Sequence, residues 1–308
     1  MTASKFALGQ CVPDICTMEQ PIPVEADRPT IIDFHGLPLT KYFTDNWDDV
    51  QSFKARQDDI LIVSYPKSGS TWLAYILDLL YFGQTCPERQ TSIPIYLRVP
   101  VLGLQIPSFF SGKEVADELP TTPRIMKSHR PELQETKKII YVARNAKDTA
   151  VSYFHYMRVS SLQPASGDWS TYLNRFMEGR VVQGSWYNHV NNWWEKKQTY
   201  SNLHYMFYED IIEDPEREIN QLCSFLGLCP SAEEKEKVLT DMKFDTMAQN
   251  KMANYFMMSA FNQNVSAFLR KGKVGDWKSH FTVSQNEMFD EDYKQKMTNP
   301  SLHFRTEI

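Results

Sequence analysis

The stretch "ILIVSYPKSGSTWLAYILDLL", Ile60 to Leu80, constrains the chain more than any other. Ile60 to Tyr65 is a continuous apolar run rich in branched residues, bounded by Asp58-Asp59 and Pro66, and it reads as a buried strand. From Thr71 onward Trp72, Leu73, Ile76, Leu77, Leu79 and Leu80 recur at spacings of three and four, which predicts a buried helix. "PKSGS" is therefore the turn between a core strand and a core helix. Backbone N–H groups at such a turn can surround an anionic oxygen, and the helix N-terminus adds favourable partial charge. Gly69 permits left-handed geometry, Lys67 is a mobile cation, and the hydroxyls of Ser68, Ser70 and Thr71 can complete a polar shell. Trp72 either packs in the core or stacks on a base. An ordinary capped turn with lysine in solvent uses the same ingredients. The spacing is not the Walker pattern, which ends in Gly-Lys-Ser/Thr, so ATP hydrolysis is disfavoured.

Two further strand–helix pairs follow. "KKIIYVARN" reads as a core strand, and "AKDTAVSYFHYMR" as a helix from near Lys147 that puts Ala150, Tyr153, Phe154 and Met157 on one face. "LHYMFYED", Leu203 to Asp210, predicts a third strand, and "PEREINQLCSFLGL" a helix with proline in its first turn. Strands alternating with helices indicate an α/β fold: a single domain with a central parallel sheet flanked by helices and a P-loop-like turn. Ligands of such sheets collect beyond the carboxyl ends of the strands. Strand order is not readable. With 308 residues and 42% hydrophobic content, the chain is expected to form one domain over 36–308, preceded by a flexible extension over 1–35.

A formal net charge of -5 offers no global positive field for nucleic acid or membrane, so any anion must be held locally. Cys11, Cys16, Cys86, Cys223 and Cys229 are odd in number and widely separated, which suits a reducing compartment better than a disulfide framework. No basic segment followed by a hydrophobic one opens the chain, and the apolar runs fall short of the roughly 20 residues of a membrane span. A cytoplasmic location is expected.

Three other segments carry chemistry. In "RIMKSHRP", Lys127 and His129 alternate, so at the end of an extended segment both can face one side. A neutral imidazole there could take a proton from a hydroxyl while Lys127 offsets charge; a surface or core histidine is the plain alternative. No metal-ligand spacing joins His129 to other histidines. Arg144 ends the second strand and Ser152 follows in the next helix, an arrangement that suits a phosphate, although Arg144 could instead pair with Asp148. In "FLRKGKVGDWKSHFT", Arg270, Lys271, Lys273 and Lys278 with Gly272 and Gly275 could close over a charged ligand or form a solvated basic loop.

"YPKSGSTW", "RIMKSH", "VARNAKDTAVSYFHY" and "RKGKVGDWKSHFTV", in this order and at these separations, resemble the cytosolic sulfotransferases, with the closest likeness to the phenol-type group. The resemblance runs from Gly36 to the end of the chain. It implies transfer of a sulfonyl group from 3'-phosphoadenosine 5'-phosphosulfate (PAPS) to a hydroxyl or amine of a small acceptor, releasing 3'-phosphoadenosine 5'-phosphate (PAP), with no metal required. By that resemblance Lys67, Ser68, Gly69, Ser70 and Thr71 cradle the phosphosulfate and Trp72 stacks on adenine. Arg144, Ser152, Arg270, Lys271 and Gly272 hold the 3'-phosphate, and Tyr208, Met242 and Phe244 border the nucleotide. His129 is the implied general base, Lys67 the group on the leaving phosphate's bridging oxygen, and Lys127 the cation beside the transferring group.

Some positions depart from the family pattern. Met242 stands where threonine is common, and the segment between His129 and Arg144 is several residues shorter than in phenol-type enzymes. Val101, Gly103 and Leu104 replace a more usual pair of phenylalanines and an acid, which predicts a pocket that is wider or less committed to flat rings. Tyr96, Val101, Leu104, Lys127, His129 and Tyr156 are the implied acceptor contacts, with a phenol as first acceptor class and hydroxysteroids or other alcohols second. "KSHFTVSQNE" resembles the family's dimer segment, so a small-interface homodimer through Lys278, Thr282, Val283 and Glu287 is expected, with "FTV" extended across a twofold axis. The rivals are a nucleotide kinase or triphosphatase, weakened by the missing Walker spacing, and a catalytically impaired nucleotide or small-hydrophobe carrier.

Overall fold

The computed structural model describes residues 28–130 and 138–308. Its strands are β1 (Ile32–Phe34), β2 (Leu37–Leu39), β3 (Ile60–Val63), β4 (Gln105–Ile106), β5 (Phe110–Ser111), β6 (Ile125–Ser128), β7 (Lys138–Ala143) and β8 (Leu203–Phe207). β1 with β2 and β4 with β5 are small antiparallel hairpins. The centre is a parallel sheet of order β6-β3-β7-β8. Val63 lies opposite both Ser128 and Tyr141, and Ala143 opposite Phe207, so the four carboxyl ends finish nearly level.

The apolar runs of the sequence are explained by burial on both faces. Ile60, Ile62, Ile140 and Val142 point into one core with the helix Ser70–Phe82, while Leu61, Val63, Ile139 and Tyr141 point into another with Trp186 and Trp193 of the helix Trp186–Thr199. Asp78, fully buried on the first helix, is paired with buried Arg89 and Arg98, which pins that helix behind the glycine-rich turn. The chain leaves β3 for β6 on one flank and then crosses to β7 on the other. Its reversal point is therefore the carboxyl end of β3, where a ligand crevice is expected.

The structure corrects three expectations. The third strand stops at Phe207 rather than Asp210, because Tyr208–Glu213 is a helix with Glu209 and Asp210 in its first turn, where acidic residues meet the positive end of the dipole. "FTV" is not an extended run: Thr282 caps the helix Val283–Lys296, and Gln285 returns a hydrogen bond to its backbone. Cys86 is disulfide-bonded, against the all-reduced reading, whereas Cys223 and Cys229 are free. Cys11, Cys16 and most of the expected N-terminal extension lie outside the described residues, as does 131–137, the core of the shortened segment after His129.

Candidate active site

Each strand of the parallel sheet delivers a named residue to the same edge. Lys67 follows β3, His129 follows β6, Arg144 follows β7 and Tyr208 follows β8, and all four line one cavity. Gly69, Ser70, Thr71, Trp72, Ser152, Phe244, Arg270, Lys271 and Gly272 line its polar end. Tyr96, Val101, Leu104, Lys127 and Tyr156 line the same space. Ser68 and Met242 are buried behind this lining.

The turn is not an ordinary capped one. Gly69 sits at φ +108 as the helix N-cap, and no side chain caps the first turn. Lys67 also has positive φ, at +69. A side chain at Gly69 would meet the Tyr208 ring at 2.8 Å, and one at Gly272 would meet the Phe244 ring at 2.1 Å, so glycine is required at both. Ser68 Oγ, Arg144 Nε and Arg270 Nε are buried with no hydrogen-bond partner among the described residues. Three orphaned donors, two following strands of the sheet and one on the basic loop, are costly unless a ligand satisfies them, and the shared chemistry of that ligand is anionic oxygen.

Arg144 does not pair with Asp148. Its Nη1 and Nη2 donate to the carbonyls of Lys67 (3.4 Å) and Lys273 (3.0 Å), and its guanidinium lies 4.4 Å from the centre of the Tyr208 ring. Asp148 instead accepts from the backbone of Gly275 and Trp277, so it fixes the basic loop to the helix Ala146–Val159. Arg270 is paired with Asp276. Trp72 Nε1 donates to the Met242 carbonyl at 2.7 Å, and its ring meets Tyr208 edge-on. Met242 thus contributes its backbone, which a change of side chain does not remove.

His129 Nδ1 lies 2.8 Å from the Ser64 carbonyl. A carbonyl only accepts, so Nδ1 carries the proton and Nε2 keeps a free lone pair. Burial, aided by Lys127 and Lys67, lowers the imidazole from 6.5 to about 4, and it is neutral at physiological pH. Lys67 is lowered to about 7, first by burial and then by Arg144, Lys127 and Arg270. Its ammonium position is 3.9 Å from the centre of the Phe268 ring and 4.9 Å from that of Tyr156. Lys127 Nζ, buried, donates to Tyr255 Oη at 2.9 Å. The site therefore juxtaposes a neutral base, two amines and anion-binding donors.

The sequence reading missed Tyr255, Phe261 and Phe268, which form an aromatic group closing the apolar end of the cavity. The available signal was compositional: "YFMMSAFNQNVSAFL" is irregular in period, yet too rich in aromatics and methionine for a purely solvated loop. Gln183 was missed as well. Gly103, by contrast, is absent from the lining: it faces the Arg130 guanidinium, at 3.3 Å from a Cβ built there, so its small size does not widen the pocket.

The Sulfotransferase domain model matches residues 57–300. Cytosolic sulfotransferase 1 of Danio rerio is 54% identical over 290 residues, covering 92% of this chain and 97% of that protein. Sulfotransferase 1A1 of Rattus norvegicus is 43% identical over 294 residues, covering 92% and 100%. Among solved structures, mouse sulfotransferase SULT7A1 complexed with PAP superposes with a TM-score of 0.70 at 30% identity, covering 88% of this chain and 95% of that one. Retinol dehydratase in complex with androsterone and PAP shares the fold, with a TM-score of 0.77 at 21% identity over 87% and 89%. Domain match, near full-length identity and a common fold agree: the chain belongs to the sulfotransferase family and is a sulfotransferase.

Proposed function

We propose that this enzyme sulfonates small phenols, with PAPS as donor and His129 as general base. The donor supplies an activated sulfonyl group and leaves as PAP. The observation that carries the reading is the convergence of orphaned donors at Arg144 and Arg270 on the cavity that also holds a neutral His129, with the orphaned Ser68 hydroxyl directly behind its lining. Ser68, Ser70, Thr71 and the first-turn N–H groups bind the phosphosulfate end, with Gly69 giving the backbone its close approach. Arg144, Ser152, Arg270, Lys271 and Gly272 bind the 3'-phosphate, and Trp72, Tyr208 and Phe244 bracket the base. His129 Nε2 receives the acceptor's proton. Lys67 and Lys127 stand where negative charge develops, and such fixed charge is worth most in a site without water.

Tyr96 and Tyr156 supply ring faces for a planar acceptor. Val101 and Leu104 add aliphatic wall, the observation that favours hydroxysteroids or other alcohols as the second reading. Titration with PAP against ATP plus magnesium tests the nucleotide assignment. Preference for PAP without metal is expected because Arg144 and the 270–272 segment answer a 3'-phosphate, and equal or tighter ATP binding rejects it. A carrier without catalysis would bind PAP but transfer no labelled sulfonyl group to any phenol or hydroxysteroid.

In the same reading residues 36–308 form the sulfotransferase domain, and the protein is a cytoplasmic homodimer joined through Lys278, Thr282, Val283 and Glu287. Exposed Val283 and Met288, on one helix, support an apolar contact. A Val283→Glu variant that sediments like the wild type at every concentration refutes that interface. The disulfide at Cys86 runs against a reducing compartment, and a thiol count on protein from a reducing extract decides the point.

A further inference from the structure

Val181 to Gly184 forms a tight turn closed by a hydrogen bond from Gly184 N to Val181 O, 2.9 Å. Gln183 occupies its third position at φ +72. That position calls for glycine or asparagine, and a long side chain there is held against the backbone's preference. The turn cannot relax easily. Gln183 N donates to the Pro38 carbonyl at 2.8 Å, the Val182 carbonyl accepts from Tyr153 Oη, and the Gly184 carbonyl accepts from Tyr65 Oη. A strained residue clamped on three sides is a pointer to function.

Gln183 also lines the cavity shared with His129, and is 3% exposed. Its Oε1 is buried with no hydrogen-bond partner among the described residues. Other polar groups of the lining are already engaged: Tyr153 gives its hydroxyl proton to the Val182 carbonyl, and Lys127 donates to Tyr255. Among the described residues lining the cavity, Gln183 Oε1 is thus a buried acceptor left unanswered, apart from the free lone pair of His129 Nε2. A ligand that is apolar except for its reacting hydroxyl would leave it unanswered.

We propose that Gln183 is a specificity-determining residue whose carboxamide oxygen accepts a hydrogen bond from a second donor, a hydroxyl or N–H, on the acceptor molecule. The preferred acceptors are then small hydrophobes with two polar groups, one presented to His129 and one to Gln183. This deepens the proposed function, since it rests on this cavity being the acceptor site.

The test uses matched acceptors on the full-length enzyme: phenol against catechol, resorcinol and hydroquinone, and a monohydroxysteroid against its dihydroxy counterparts. For each set the ratio of kcat/KM, and of affinity for the PAP-loaded enzyme, is measured in wild type, Gln183→Met and Gln183→Gly. Methionine keeps the length without the acceptor atom, and glycine suits the left-handed backbone should methionine prevent folding. The wild type should favour at least one two-donor compound by about tenfold or more, and both variants should bring that ratio close to one. A wild-type ratio near one throughout, or a preference that survives in the soluble variants, overturns the proposal. Turnover of steroids alone would sink the phenol reading while leaving the Gln183 comparison decisive on the steroid pair. Binding of both sets with no turnover of either would sink the catalytic reading, and the affinity ratios would still decide on Gln183.

Discussion

His129 shows how one hydrogen bond prepares a side chain for chemistry. The Ser64 carbonyl accepts a hydrogen bond from Nδ1–H, burial keeps the ring neutral, and Nε2 is left as a base. His129→Ala should therefore lower turnover by roughly 100-fold to 10,000-fold while PAP affinity stays within a few-fold. Comparable turnover at saturating donor would remove the role. Lys67 carries a second prediction. Its amine is lowered to about 7 in the free protein, and a bound phosphosulfate favours the ammonium, so its pKa must rise on binding. Between pH 7 and 9, PAP binding should draw up to about one proton from buffer, visible as a calorimetric enthalpy that varies with the buffer's ionisation heat. A Lys67→Met variant with the same proton uptake would refute the assignment. Lys67 and His129 stood out in the sequence because each sits in a short run whose residue types already suggest chemistry. Tyr255 did not: its partner Lys127 lies 128 residues away, and no local pattern records that contact.

At the scale of elements, the strand–turn–helix around Gly69 was legible because hydrophobic period changes abruptly there, from a continuous run to a helical stripe. Thr282 lies inside the apolar "FTV" that suggested an extended run; the capping box won because it satisfies backbone donors locally. "FYED" misled for the opposite reason, its aromatics favouring strand and its acids favouring a helix start. The basic loop yields a test at this scale. At Gly272 a Cβ would fall inside the Phe244 ring, and φ is +63, so Gly272→Ala must move either the loop or the ring. PAP affinity should fall by tenfold or more. Gly227→Ala is the control: it has similarly positive φ, +74, but nothing within 4 Å, so it should cost modest stability and leave PAP affinity unchanged. Equal PAP affinity in the two variants would show that the loop's fit to Phe244 is irrelevant to the nucleotide.

Across the whole molecule the sheet order could not be read, because which strands pair is decided by contacts between distant segments rather than by any one of them. Yet that order is what brings Lys67, His129, Arg144 and Tyr208 to one edge, and it leaves His189 buried against the sheet and His129 and His204 half-buried beside it. His129, His155 and His204 are lowered to about 4 and His189 to about 3, in each case chiefly by burial. His189 is held most tightly: Nε2 donates to the His129 carbonyl, so Nδ1 must accept from the Tyr141 hydroxyl, and a proton on Nδ1 would oppose that bond. With each folded pKa below the unfolded value of 6.5, the unfolded chain binds protons first as pH falls. Stability is therefore greatest above pH 6.5 and drains away on descent toward 4, by at most about 1.4 kcal/mol per pH unit for buried His189 and by less for the half-exposed His155, where solvent screens the effect. Between pH 6.5 and 5 ordinary carboxylates remain ionised, so denaturant midpoints in that window should report mainly on these rings. Replacing His189 by glutamine should flatten the slope there by up to one histidine's share, whatever it does to stability at pH 8. An unchanged slope would mean that His189 already takes its proton in the folded state, against the hydrogen-bond pattern around it.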